Sequence, residues 1–240
     1  MNAKNIIITS LLVIMIGQFQ GCDVVEYNTF TSYVNTYYKY NDINLSLTPV
    51  GNIMISGASF DKHYSWQSKG NDKDIYENLC KTHNDISYNK KRELIVGTNW
   101  GHCSMLDFKR IDIMSNIDFD QKHPAGTSLN DIIRFISVSP KKYIDSNYAK
   151  TYDWLNGTPD SFKKEQEMYN FRNGTESKNY YPIDKLLSEI SINEMVMMPS
   201  EYFGYLIFEA TPTGLKEHQL TITVSLSDGK IIVKTIKKLF

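Results

Sequence analysis

The chain has 240 residues, 41% of them hydrophobic and 12% aromatic, with 26 basic against 27 acidic side chains and a formal net charge of −1. This near-neutral balance carries no basic block beyond Lys90-Lys91-Arg92, which excludes the electrostatic footprint of a nucleic-acid binder. The length suffices for one large or two small domains with cores of their own.

The first element is a leader. Lys4 precedes the apolar run Ile6–Ile16, which is broken only by Thr9 and Ser10 and is followed by Gly17-Gln18-Phe19-Gln20-Gly21-Cys22. The run is about half the ~20 residues a membrane-spanning helix needs, so it reads as a removable export signal over residues 1–21. A cysteine directly after the small Gly21 makes it a lipoprotein-type signal, with Cys22 taking a diacylglyceryl group and becoming the mature N-terminus. Phe19 and Gln20 depart from the usual Leu and small residue at those places. Each buried methylene of an acyl chain contributes about 0.8 kcal/mol, so two or three chains anchor stably. The expected partner is therefore a membrane, reached through N-terminal acyl chains. The expected location is the bacterial cell envelope, at the outer membrane. Residues 22–42 follow as anchor and tether or first strand, and residues 43–240 as the folded domain.

Along that domain, Ile43, Leu45 and Leu47 alternate with polar residues up to Pro49, and Asn52–Ser56 resumes after Val50-Gly51, which predicts a hairpin. The polar stretch Asp61–Lys91, with a turn at Gly70-Asn71-Asp72, reads as a long loop with or without a short helix. Glu93–Gly97 and Phe108–Met114 read as strands, with Ile111 and Ile113 on one face together with Lys109. Asp118–Gly126 is a connector. Leu129, Ile132, Ile133 and Ile136 fall at helical spacing behind Thr127 or Ser128, which predicts a short amphipathic helix. Phe162–Phe171 and Ile183–Ile190 are further helix candidates, the latter opened by Pro182. Gly204–Thr211 is β-prone. Leu220, Ile222, Val224 and Leu226 alternate up to Asp228-Gly229, a favoured two-residue turn that sets Leu226 against Ile231 and Val224 against Val233. Strands at both ends with polar connectors predict a mainly β fold: an antiparallel β-sandwich of immunoglobulin-like type with a few short helices.

Two stretches carry a resemblance. One is Cys103 followed by Ile111-Asp112-Ile113, Asp118-Phe119-Asp120 and His123-Pro124-Ala125-Gly126-Thr127-Ser128-Leu129-Asn130-Asp131. The other is Phe208-Glu209-Ala210-Thr211-Pro212-Thr213 leading to His218-Gln219-Leu220-Thr221. Together they resemble a family of lipoproteins of Bacteroidetes-type bacteria that is known by sequence and not by activity. The resemblance implies an exported, sandwich-like, lipid-tethered domain and carries over no catalytic residue.

The chemistry in the sequence is sparse. With Cys22 assigned to lipid, Cys80 and Cys103 form an even remainder in an oxidising compartment, which favours a disulfide worth about 3 kcal/mol. Zinc held by Cys80, His83, His102 and Cys103 is a second reading, made awkward because adjacent strand residues point to opposite faces. Two free buried thiols are the third. His63, His123 and His218 fit no metalloprotease spacing, and no phosphate loop or nucleophile elbow occurs. Asp112, Asp118 and Asp120 lie close together but lack the pattern of a calcium loop and read as turn and cap residues. Tyr27, Phe30, Tyr33, Tyr37, Tyr38 and Tyr40, with Trp66, Trp100 and Trp154, read either as strand and core residues or as platforms for a glycan or protein ligand. No catalytic residue, metal or cofactor is assigned. The expectation is a non-enzymatic binding or structural accessory of the envelope, the alternative being a lipid-anchored hydrolase or glycan-processing enzyme with a dispersed acidic site. A subunit that donates or accepts a strand, with an unpaired edge at Val24–Asn41 as its sign, is a third expectation.

Overall fold

The computed structural model describes residues 31–88, 101–165, 168, 177–214 and 216–240. The expected leader, Cys22, Tyr27, Phe30, the strand expected at Glu93–Gly97 and Trp100 lie outside the described residues. Within them run β1 (Val34–Leu47), β2 (Ile53–Ser65), α1 (Asn71–Thr82), β3 (Gly101–Ser104), β4 (Phe108–Ser115), β5 (Ile133–Ser139), α2 (Lys141–Asp145) and α3 (Trp154–Gly157). They are followed by β6 (Tyr181–Leu186), β7 (Tyr202–Phe208), β8 (Glu217–Leu226) and β9 (Ile231–Leu239). The strands form two sheets, one of six in the order β3-β1-β2-β7-β5-β6 and one of three in the order β4-β8-β9. Pairing is antiparallel throughout except for β1 with β3, which is parallel.

The fold is the mainly β sandwich with few short helices that the alternating stretches imply, six strands facing three. Strand alternation builds the interface between the sheets. Ile111 and Ile113 of β4 and Leu220, Ile222, Val224 and Leu226 of β8 meet Ile43, Ile53, Ile55, Ile133, Phe135, Phe203 and Leu206 of the large sheet in one buried cluster. Full burial of each such side chain contributes roughly 1.5–3 kcal/mol. The opposite face of the large sheet is also covered. There Tyr33, Val34, Tyr37, Tyr64, Val138 and Tyr205 pack with Tyr76 and Cys80 of α1, Tyr143 and Ile144 of α2 and Trp154 of α3. The central strands β5 and β7 are thus buried on both faces, which sets their composition. Gly204 of β7 lies directly beneath the Phe135 ring, where a Cβ has no room.

That double burial corrects the helix expected at Leu129–Ile136. Leu129–Ile132 is a turn, and Ile133 begins β5, because a strand covered on both sides is apolar at consecutive positions and mimics helical spacing. The helix expected at Ile183–Ile190 is replaced by β6 and a 3-10 turn over Leu187–Glu189. Pro182 is tolerated there because β6 is an edge strand. Of the helix candidate at Phe162–Phe171, the described residues are 162–164, which end a 3-10 helix over Asp160–Lys164, then Glu165 in a bend and Met168, which is α-helical. The long loop expected from Asp61 is shorter than that, since β2 continues to Ser65 and α1 starts at Asn71. Lys109 does not share the face of Ile111. The β4–β8 register shifts between Phe108 and Arg110, and Lys109 is exposed.

The C-terminal hairpin forms, but its register differs by one residue from the expected one. Val224 faces Ile232, and Ser225 faces Ile231. Leu226 N donates to Lys230 O at 2.8 Å, so the loop is the three residues Ser227-Asp228-Gly229, with Gly229 at φ +89°. A three-residue loop closed by a left-handed glycine competes with the two-residue turn. One residue of slip exchanges the faces of β9. Ile232 is 5% exposed, whereas Ile231 and Val233 are 62% and 57% exposed.

Candidate functional site

The expected Cys80–Cys103 bridge is not formed: both are free, buried thiols, one on α1 and one on β3. Burial pushes the Cys80 thiol up to about 12 and the Cys103 thiol well above its ordinary value, so neither is poised as the thiolate that exchange or zinc binding requires. His102 is exposed beside the buried Cys103, on the opposite face of β3, while His83 is buried and stacked on Tyr37 with centroids 5.9 Å apart. Among the described residues no three His, Cys, Asp or Glu side chains converge as for a metal.

Other sequence-flagged groups hold loops in place. Asp118 accepts from Ala125 N at 2.8 Å, and Asp120 accepts from Lys122 N and His123 N at 2.8 and 2.9 Å. The buried His123 ring lies between Asp120 (Nδ1, 2.8 Å) and Asp131 (Nε2, 3.0 Å). Burial opposes its charge, but the two carboxylates outweigh burial and raise its pKa. Asn130 spans the edge of β4, taking Ile113 N and donating to Ile111 O. The two stretches that carry the family resemblance meet here. Phe119 stacks on Phe208 at 5.8 Å, Thr213 N donates to Phe119 O, and Ser115 Oγ lies 2.8 Å from His218 Nδ1.

Beneath the aromatic face lies a buried polar layer. The Asp85 carboxylate accepts from Tyr33 N (2.7 Å), Val34 N (2.8 Å) and the Tyr148 hydroxyl (2.8 Å), and Tyr76 donates its hydroxyl to Val34 O. Asp107 accepts from Met197 N at 2.9 Å, with His83 Nε2 at 3.5 Å from its second oxygen. Burial raises Asp107 to about 7 and lowers His83 to about 4. Asp85 and Asp107 both accept from backbone N–H groups of other segments, so their work is to fasten the layers together.

The flagged aromatics divide. Tyr33, Tyr37 and Trp154 are core residues, Trp154 donating Nε1 to Tyr180 O at 3.1 Å. Tyr38 is half-buried and gathers Phe60, His63 and His102 around it at about 6 Å, and Trp66 is exposed. A larger cleft of about 910 Å³ follows the edge of β4, between Lys109, Arg110, Asp131, Ile192 and Ile231, and Asn130 and Met195 already cover part of that edge.

A second cleft lies at the edge strand β6. A cleft of about 530 Å³ opens between β6 and α2 and is lined by Lys142, Asp145, Tyr152, Tyr181, Asp184 and Glu194, among others. Local chemistry positions its walls. Ser139 Oγ accepts from Lys141 N and donates to Val196 O, fixing the start of α2. The Asp153 side chain caps α3 through Leu155 N and Asn156 N, and so sets Tyr152 just outside that helix. The Tyr152 hydroxyl donates to Gly157 O and the Tyr181 hydroxyl to Lys150 O at 3.0 Å, so both rings are tied at their far ends. The rings meet edge to face, 5.3 Å apart and inclined by 63°.

Each acid of this cleft has a cation. Asp145 is bound by Lys141, Asp184 by Arg134 at 2.9 Å, and Glu194 by Lys185 at 2.7 Å. Burial would raise Glu194, but the Lys185 ammonium and Ser191 N hold its carboxyl below its usual value. Lys142 stands over the Tyr181 ring at 5.8 Å. Sequence reasoning missed these residues. Tyr181-Pro182 reads as a helix entry, and Tyr152 joins Tyr181 only through the path of the chain around α3.

No family model, curated protein or solved structure matches the chain. What the cleft can do follows from its own chemistry: it presents fixed aromatic rings among balanced, mutually neutralised charges.

Proposed function

We propose that this chain is a lipid-anchored cell-envelope protein whose β-sandwich domain serves as a non-enzymatic binding accessory. The reading of Ile6–Ile16 and Gly21-Cys22 as a lipoprotein leader supports the anchor, with the outer membrane as the expected location. The observation that carries the binding role is the cleft along β6. Its two tyrosines are immobilised by hydrogen bonds to backbone, so a ligand stacking on them costs little side-chain entropy. The alternative, a hydrolase or glycan-processing enzyme with a dispersed acidic site, needs a carboxyl group held ready as acid or base. The acids lining this cleft are instead neutralised by lysines and Arg134. The aspartates with raised pKa, the buried Asp85 and the half-buried Asp107, lie outside this cleft and hold backbone N–H groups.

The anchoring half is tested by growing bacteria that express the full chain with radiolabelled palmitate. The wild type should carry label and fractionate with membranes, and Cys22→Ser should carry none. An unlabelled, soluble wild type contradicts the proposal.

A further inference from the structure

We infer that the β6 cleft is a binding site for a neutral saccharide, an assignment that rests on the binding role just proposed and names its ligand class. Three features of the cleft define what fits. The first is apolar surface presented as ring faces. Tyr152 and Tyr181 both line the cleft, are half-buried, inclined by 63° and held by their hydroxyl groups, so they offer it fixed aromatic surface, with Lys142 beside the Tyr181 ring. The axial C–H faces of a pyranose pack on such aromatic surface.

The second feature is charge balance. The cations Lys141, Lys142 and Lys185 line the cleft together with Asp145, Asp184 and Glu194. The three acids are each engaged by a cation, and Lys142 also draws on Glu194. The cleft therefore has many donors and acceptors and no net field to hold a free ion. Hydroxyl groups, which donate and accept at once, suit such paired ions, because they can bridge a lysine and a carboxylate without separating them. A phosphate or uronate would find only Lys142 without an ion pair of its own, and any second charged contact would have to displace an acid from its cation.

The third feature is the wall itself. A peptide could add to an edge strand by backbone pairing, but Pro182 removes a donor from β6. The outer edge is thereby blunted against strand addition and left as a surface for side-chain contacts.

The test uses the full-length protein in detergent and isothermal titration with neutral hexasaccharides: β-1,4-linked glucose, xylose and mannose, β-1,3-linked glucose and α-1,4-linked glucose. At least one should bind. Tyr181→Ala and Tyr152→Ala should each weaken it tenfold or more, Tyr181→Phe, which keeps the ring but loses its tether to Lys150 O, should weaken it less than either, and Phe60→Ala, on the separate aromatic strip, should change affinity less than threefold. Thermal melts identify any variant that fails to fold. In that event hydrogen–deuterium exchange of the wild type decides, with saccharide expected to protect residues 141–145 and 181–186. Absence of binding by all five sugars, binding indifferent to both alanine variants, protection elsewhere, or tighter binding of polygalacturonate than of any neutral sugar overturns the inference. A chain that takes palmitate at Cys22 yet binds no hexasaccharide keeps the anchoring and loses the site.

Discussion

On one face of the six-stranded sheet the buried side chains are mostly aliphatic: Ile43, Ile53, Ile55, Ile133 and Leu206, meeting the isoleucines and leucines of β4 and β8. On the other face they are largely aromatic, and polar atoms lie among them, with Asp85 holding Tyr33 N and Val34 N and Tyr76 reaching Val34 O. The aliphatic face is closed by a second sheet, and its cohesion is spread over many interchangeable contacts. The aromatic face is closed by short helices and long connections, and a few directional hydrogen bonds fix its geometry. The β6 cleft opens on this second side, where pinned rings can be held at set angles.

Four experiments would break or sharpen that comparison. The largest effect is expected from Phe135→Ala, which empties the space over Gly204 in the doubly buried strand β5. Unfolding in urea should show a loss of about 4 kcal/mol. Next comes Asp85→Ala, which strands two buried backbone N–H groups and the Tyr148 hydroxyl, at a cost of about 3 kcal/mol. Asp85→Asn, which keeps one acceptor oxygen, should cost less than half of that. If Ala and Asn are equally mild, the polar layer does not fasten the aromatic face.

The third experiment reads the hairpin register. Ile232→Ala should cost about 2 kcal/mol and Ile231→Ala less than about 0.5 kcal/mol, since only the former side chain is buried. The reverse order would restore the two-residue turn.

The smallest effect concerns His123. Its pKa is raised in the fold, so the contribution of its charge is fully present below the ordinary histidine value near 6.5 and is lost as pH rises through the folded value. Asp131 is largely exposed, so Asp131→Asn should remove only ~0.5 kcal/mol at pH 6, and nothing once His123 is neutral. An NMR titration of the His123 ring should show its midpoint fall in that variant.

The two faces also differ in how far the sequence discloses them. Alternation in Leu220–Leu226 and Ile111–Ile113 reveals a half-buried sheet, because period two survives where one side of a strand meets water or polar neighbours. It fails at Ile133–Ser139, where both sides are covered. It fails again at β9, where a turn of three residues instead of two exchanges Ile231 for Ile232. The aromatic face is hidden for another reason: Asp85 meets Tyr33 and Val34 across about fifty residues, and nothing local marks that meeting. The cleft is hidden likewise, since Tyr152 and Tyr181 stand on separate elements and neither occupies a motif.

The claim that joins leader to domain is that this cleft is displayed from a membrane by an acylated Cys22. The most direct measurement is the mass of the N-terminal proteolytic peptide of the full chain recovered from bacterial membranes. The account predicts that the peptide begins at Cys22 and carries a diacylglyceryl group, with or without a third acyl chain. A peptide that begins at Met1, or at any residue other than an acylated Cys22, would contradict it.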